Sequence, residues 1–287
     1  MNKYAVIDVG SNSVRLMFVA DGKVLYKRLN TTRLSEGLAN SSVLNERAIE
    51  RSAQAVAQFF QTAKEDGAEA VFVFATAAVR SATNGQAFVA RVKTLCGLEV
   101  EVISGETEAE IGILGALGSS DGAIIDIGGA STEIIVRKNG VLTYKKSVNI
   151  GVVRLHDRCG IDRASLKKVA LEEVEKFGEV PLEGEVYAIG GTATTVAALS
   201  LKLAVYQSEK ITGAEISADK VKKIADELAM LAPREIAQLP CVSTGREDVI
   251  AGGAILLSTI MEKYNIERII ASDRDNLEGY AIRKGLL

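Results

Sequence analysis

One feature narrows the choice of fold more than any other: the chain repeats itself. Residues 4–28 read YAVIDVGSNSVRLMFVADGKVLYKR, and residues 122–146 read GAIIDIGGASTEIIVRKNGVLTYKK. Superposed without a gap, they pair Asp8 with Asp126, Gly10 with Gly128, Ser13 with Ser131, Gly22 with Gly140 and Tyr26 with Tyr144, always 118 positions apart. Each copy reads as an apolar strand ending in an acid, a turn of small residues, a second strand, a glycine turn and a third strand. A plain hairpin turn accounts for GSNS taken alone, because Gly, Ser and Asn are common turn residues. It gives no reason for the acid to recur with the turn. The repeat therefore implies two similar domains, expected to face one another across a cleft with the paired turns lining it.

The intervening sequence alternates strand and helix patterns. A helix pattern covers about Asn45 to Lys64, followed by the buried strand AVFVFAT, a helix from Ala77 towards Leu95, the strand LEVEVIS and a helix beginning near Gly105. The second half continues with a helix near Ser165–Phe177, the strand EVYAIGG, a helix from about Thr192, a long helical pattern after Ser217 and another over Arg246–Tyr264. It closes with the strand ERIIAS and a helix near Asn276–Lys284. Such alternation predicts an α/β fold whose sheets are covered by helices. The expected domains are 1–117 and 118–287, joined near Leu117–Asp121, with the last helix, about 276–287, either in the second domain or packed back on the first.

Composition removes several function classes. A net charge of −3 offers no polyanion-wrapping surface, so no nucleic-acid partner is expected. No apolar run reaches the roughly 20 residues of a membrane span, and no signal-peptide core is present, so the expected location is the cytoplasm, with no membrane partner. Cys96, Cys159 and Cys241 are odd in number and widely spaced, as reduced thiols are. A single histidine, His156, argues against a histidine metal site and reads as structural or surface.

The two turns carry the chemistry. Consecutive amides in a Gly/Ser turn form an anion-binding concavity, and hydroxyls add donors. Gly10, Ser11, Asn12 and Ser13, and Gly128, Gly129, Ser131 and Thr132, thus read as phosphate-binding residues. Asp8 and Asp126 would repel phosphate unless a cation intervened, and Mg²⁺ takes such mixed carboxylate, water and phosphate ligands. A third glycine pair, Gly190-Gly191 before Thr192, lies at a strand-to-helix junction where amides point outward. Arg80 with Asn84, and separately Arg246, fall near predicted helix starts, where an arginine opposes the helix dipole unless an anion lies close. Arg15 follows the first turn. Glu106, Glu108 and Glu110 crowd one helix start, more acid than dipole compensation calls for. Glu108 or Glu133 could deprotonate or orient a water for in-line attack on phosphorus.

Together the segments DVGSNSVRL (Asp8–Leu16), ATAAVRSATN (Ala75–Asn84), ISGETEAE (Ile103–Glu110), DIGGASTE (Asp126–Glu133), NIGVVRL (Asn149–Leu155), IGGT (Ile189–Thr192) and GREDVIAGG (Gly245–Gly253) resemble the exopolyphosphatase/guanosine pentaphosphate phosphohydrolase (Ppx/GppA) family of the actin-like ATPase superfamily. The resemblance implies two ribonuclease-H-like domains around a cleft in which terminal phosphate is hydrolysed with Mg²⁺. It places the catalytic carboxylate on Glu108, which also joins Asp8 and Asp126 as a metal ligand, and it puts Arg80 on the phosphate chain. Gly191, Thr192, Arg15 and Arg246 complete the expected substrate contacts. The implied partners are inorganic polyphosphate or guanosine pentaphosphate, with homodimerisation common in the family. Three departures stand out. Ala130 replaces a third glycine and would strain the turn if that position needed positive φ. SDRDNLEGYAI matches the family's ending only loosely. The C-terminal helical domain of longer members has no counterpart here, from which a preference for short chains is expected. A sugar or acetate kinase of the same superfamily and a non-catalytic phosphate or alarmone sensor are the competing expectations.

Overall fold

A computed structural model of the chain describes residues 2–38 and 41–287. The chain divides into two compact units, 1–115 with 276–287, and 116–275.

Unit 1 begins with β1 (Lys3–Val9), β2 (Ser13–Ala20) and β3 (Lys23–Thr31), followed by α1 (Glu46–Glu65) and β4 (Ala70–Ala75). Then come α2 (Ala77–Ser81), α3 (Gly85–Cys96), β5 (Val100–Val102) and α4 (Gly105–Leu117). Its sheet has the order β3-β2-β1-β4-β5, with β1, β2 and β3 antiparallel in sequence and β4 and β5 parallel to β1. β1 is central and buried on both faces, which is why it reads as a continuous apolar run. Ala5, Ile7 and Val9 point to a core closed by α1 and α3 through Ile49, Val56, Phe59, Phe88 and Val92. Val6, with Met17 and Phe74, faces a second core containing Ile111 of α4.

The helix expected from Ala77 to Leu95 is broken in two. The chain turns extended at Ala82, with ψ 137°, and Asn84, just before α3, has its side chain on the backbone of Leu44, accepting from the N–H at 2.8 Å and donating to the carbonyl at 3.0 Å. Local helix propensity gives way here, beside a tertiary contact that spans 40 residues.

Unit 2 contains β6 (Gly122–Ile127), β7 (Thr132–Lys138), β8 (Val141–Val148), α5 (Val152–Cys159), α6 (Arg163–Val174), β9 (Val186–Ile189) and α7 (Gly190–Ser200). It continues through α8 (Ser208–Ile211), β10 (Ala214–Ser217), α9 (Ala218–Leu228), α10 (Pro233–Ile236), α11 (Ile250–Lys263) and β11 (Arg268–Ala271). The strand order, β10-β11-β9-β6-β7-β8, matches that of unit 1 with one added antiparallel edge strand. Residues 276–287 belong to unit 1, where α12 (Asn276–Arg283) packs Leu277, Tyr280 and Ala281 into the core around Phe74 and Ile111. The Tyr280 ring stacks on Phe74 at 4.5 Å between centroids, and its hydroxyl donates to Glu101 at 2.6 Å.

The repeat holds at the level of single dihedrals. Asp21-Gly22 and Asn139-Gly140 both take positive φ at both residues (47° and 72°; 52° and 74°), the geometry of a type I′ hairpin turn. A register shift falls between Phe18 and Val19 in one copy and between Val136 and Arg137 in the other. No helix among the described residues is long and apolar enough to cross a membrane.

Candidate functional site

In unit 1 the first turn sits at the carboxyl end of β1, beside the end of β4, where open α/β sheets place their ligands. The Gly10 amide closes the turn on the Ser13 carbonyl at 3.1 Å. The carbonyls of Ser11 and Asn12 are taken from one side, by the amides of Ser35 (3.0 Å) and of Thr32 and Arg33 (3.0 and 2.8 Å). With these carbonyls already paired, they do not compete with a bound anion for the hydrogen-bond donors of the turn. Ser11, Asn12 and Ser13 are all buried.

Two acids and two arginines adjoin this turn. Asp8, 2% exposed, lies directly across the β1–β2 ladder from Arg15. Arg15 donates to Asp8 Oδ2 from Nη2 and, at 3.1 Å, from Nε. Glu108, in the first turn of α4, accepts from Arg80 Nη1 at 2.7 Å, and that nitrogen also donates to the Ile103 carbonyl at 3.0 Å. Burial pushes the Glu108 carboxyl above the usual carboxylate range. Arg80 and a hydrogen bond from Thr76 oppose that rise, and the negative charge of Asp8 adds to it. Ser104 caps α4, its hydroxyl accepting from the Thr107 amide at 3.1 Å.

Arg80 is not at a helix start. It closes the five-residue α2, in the last turn, where a cation suits the dipole, so its position needs no anion to explain it. Its carboxylate partner is what links it to the site.

In unit 2 the Gly128 amide closes the second turn on the Ser131 carbonyl at 3.0 Å, 118 residues on from Gly10 and Ser13. None of Gly128, Gly129 and Ala130 has positive φ, so the alanine sits in this turn without backbone strain. Thr132 donates to the Ile150 carbonyl at 2.5 Å, and the amides of Val152 and Val153 reach the carbonyls of Gly128 and Gly129, both at 2.9 Å. Asp126, Glu133 and Ser147 lie in one row across β6, β7 and β8. Ser147 donates to Glu133 at 2.6 Å, and Glu133 is buried.

The third glycine pair belongs to the same region. Gly190 has φ 79°, and a Cβ there would lie 2.7 Å from Asp126 Oδ1. Gly191 lies against the Arg246 guanidinium so closely that any side chain would displace it. Arg246 stands in the turn before α11 rather than within that helix, its carbonyl accepting from the Ile250 amide at 2.9 Å. Thr192 is buried where α7 meets Gly253 of α11.

Within unit 1 the structure therefore brings together Asp8, Gly10–Ser13, Arg15, Arg80 and Glu108. Within unit 2 it brings together Asp126, Gly128–Glu133, Gly191, Thr192 and Arg246. The residues that sequence reasoning passed over are Thr76, Ser147 and the segments that brace the turns from behind. The signal for the braces was present, since Thr32 and Ile150 are also 118 positions apart.

No group of three or more His, Cys, Asp or Glu among the described residues could hold a metal ion. Asp8 and Glu108 already carry arginines. The donor set suits Mg²⁺ only in its usual enzymic form, with one or two carboxylates and the remaining ligands drawn from waters and substrate phosphates.

A duplicated mixed sheet, with an acid-bearing strand and a glycine turn at the end of its central strand, defines a pair of ribonuclease-H-like α/β units. The chain belongs to the Ppx/GppA phosphatase family, which it matches over residues 6–287. It is 30% identical over 314 residues to Exopolyphosphatase 2 of Mycobacterium tuberculosis, covering 98% of each chain. It is 31% identical over 313 residues to a bifunctional 3-dehydroquinate synthase/phosphatase of Fusobacterium nucleatum, covering 98% of this chain and 46% of that protein. A guanosine-5'-triphosphate,3'-diphosphate pyrophosphatase of Pseudoalteromonas translucida is 31% identical over 303 residues, all of this chain and 59% of the relative. A crystal structure of the Aquifex aeolicus Ppx/GppA family member superposes with a TM-score of 0.79 at 29% identity, covering 99% of this chain and 98% of that one.

Proposed function

We propose that the protein is a phosphoanhydride hydrolase that releases terminal phosphate from inorganic polyphosphate. The observation that carries this reading is Glu108: a buried carboxyl, raised in pKa and held by Arg80, within electrostatic reach of Asp8 beside a turn whose carbonyls are tied back. Family membership and a relative of the same length named Exopolyphosphatase 2 support the substrate class.

Glu108 takes a proton from the attacking water, and its raised affinity for that proton makes it a stronger base than an exposed carboxylate. Arg80 orients the carboxylate in the free protein and stabilises negative charge on the phosphoryl oxygens during attack. Arg15 offsets the charge of Asp8, which would otherwise repel a phosphate on the Gly10–Ser13 turn. Mg²⁺, held by Asp8 or Asp126 together with phosphate oxygens, would supply further neutralisation of the transferred group. In unit 2, Glu133 and the Gly128–Thr132 turn contribute a second anion site, with Gly191, Thr192 and Arg246 alongside.

Short chains are the proposed preference. At the first turn Arg15 and Arg80 each share their charge with a carboxylate, which weakens their hold on the successive phosphates of a long chain. Guanosine pentaphosphate is the second reading, favoured by the name of the Pseudoalteromonas relative.

Phosphate release from tripolyphosphate, long-chain polyphosphate and guanosine pentaphosphate with Mg²⁺, for wild type and Glu108→Ala, tests all of this. Release from tripolyphosphate that Glu108→Ala abolishes is the expected result. Binding without release in wild type would point to a sensor. Turnover untouched by Glu108→Ala would remove Glu108 from the mechanism, and rates rising steeply with chain length would overturn the short-chain preference.

A further inference from the structure

Within unit 1, the C-terminal helix meets the elements that surround Glu108. α12 buries Leu277, Tyr280 and Ala281 in a core that also contains Val6, Phe74, Ile103 and Ile111. Val6 precedes Asp8 by two residues on β1, and alternate strand residues share a face, so α12 packs on the face of the sheet that carries Asp8. Phe74 precedes by two residues Thr76, which hydrogen-bonds Glu108. Ile103 gives its carbonyl to Arg80 Nη1 at 3.0 Å, and the same nitrogen donates to Glu108 at 2.7 Å. Ile111 follows Glu108 by three residues, about one turn along α4.

Two contacts fix this docking at defined points. Gly279 passes so close to α4 that a Cβ would overlap the Ile111 carbonyl oxygen and lie 2.9 Å from Ile111 Cα. The obstacle is helix backbone, which cannot rotate aside as a side chain does, so only glycine allows this approach. Its φ is not positive, and it sits inside α12, where glycine weakens a helix. The contact with α4 is therefore what calls for it. Tyr280, next in sequence, stacks on Phe74 at 4.5 Å between centroids and donates to Glu101 at 2.6 Å, two residues before Ile103.

We propose that α12 positions Glu108, with Gly279 and Tyr280 as the positioning residues. Gly279 sets how closely α12 approaches α4, the helix that carries the carboxylate. Tyr280 holds β5, whose continuation presents the Ile103 carbonyl to Arg80. A carboxylate that must meet an attacking water tolerates little displacement, since a shift of about 1 Å can cost about 100-fold in rate. The assignment rests on reading Glu108 as the base.

Gly279→Ala and Tyr280→Phe, made in the full chain, are compared with wild type, Glu108→Ala and Ala281→Gly. The measurements are thermal unfolding, and kcat and KM for phosphate release from tripolyphosphate well below each unfolding midpoint. Gly279→Ala is expected to lower kcat about 100-fold and to leave KM within about twofold, and Tyr280→Phe to lower kcat severalfold. Ala281→Gly weakens the same helix without adding an atom against α4, so it should unfold at a lower temperature and keep the wild-type kcat. Gly279→Ala that shifts only the unfolding midpoint, or a loss of kcat that Ala281→Gly shares in equal measure, overturns the assignment. Should Gly279→Ala not fold, Tyr280→Phe decides: a severalfold lower kcat at unchanged KM supports the assignment, and a wild-type kcat overturns it. Wild type that releases no phosphate overturns the hydrolase reading, and Glu108→Ala at the wild-type rate overturns the role of Glu108; the assignment falls with either. Activity lost in Glu108→Ala and kept in Gly279→Ala overturns the assignment alone.

Discussion

Glu108 is 9% exposed, and desolvation is the largest influence on its carboxyl. A base must lose its proton to work, so the acid limb of kcat/KM should lie above the ordinary glutamate value of about 4.3. A pH–rate profile checks this, and a limb at or below that value would contradict it. Stability carries the same signature with a definite sign. The folded state holds this proton more tightly than the unfolded chain, so the stabilisation is present at low pH and fades as pH rises through the raised folded value. Glu108→Gln cannot ionise, and urea titrations across that window should show a flatter decline. Position 130 yields a second prediction. Ala130 has no positive φ, so Ala130→Gly relieves nothing and should cost about 0.4–1 kcal/mol through the freer unfolded chain. Chemical denaturation measures that cost, and kcat/KM should stay within about twofold of wild type.

Among elements, α5 borders the second turn and α12 closes part of the core of unit 1. Gly151 precedes α5 and touches the backbone of Gly128 and Gly129, so Gly151→Ala must shift the second turn. The expected cost is about 1–3 kcal/mol of overpacking, with a fall in kcat/KM, while Gly140→Ala at the distant hairpin turn should lose stability alone. α12 docks through Tyr280, buried against Phe74 and bonded to Glu101. Tyr280→Phe should cost about 0.5–1.5 kcal/mol for the lost hydrogen bond, near the lower end because Glu101 is partly exposed. Tyr280→Ala should cost about 3–5 kcal/mol, since it also empties the space beside Phe74. Equal losses in thermal or urea melts would show that the ring packs less closely than its 4.5 Å stack implies. The break after α2 was illegible locally: it falls at the extended Ala82, beside an Asn84 whose hydrogen-bond partner, Leu44, lies 40 residues away.

On the scale of the whole molecule, the chain returns its last segment to its first unit. Truncation after Asp275 removes Leu277, Tyr280 and Ala281 from the core of unit 1. Limited proteolysis should then cut within residues 2–115 well before 116–275, whose core contains no residue of α12. Resistance of both regions would refute that account. The sequence by itself determined the duplication, the α/β class and the two small-residue turns with their acids, and it nominated Glu108 and Arg80 separately as site residues. These are local: periodicity, turn chemistry and an identical spacing of 118 all lie along the chain. Only the tertiary structure decided that Arg15 belongs to Asp8, that Arg80 holds Glu108, that Ala130 is unstrained and that straps tie back the turns. Those outcomes depend on which groups burial and strand register bring within hydrogen-bonding distance, and no one-dimensional spacing contains that distance.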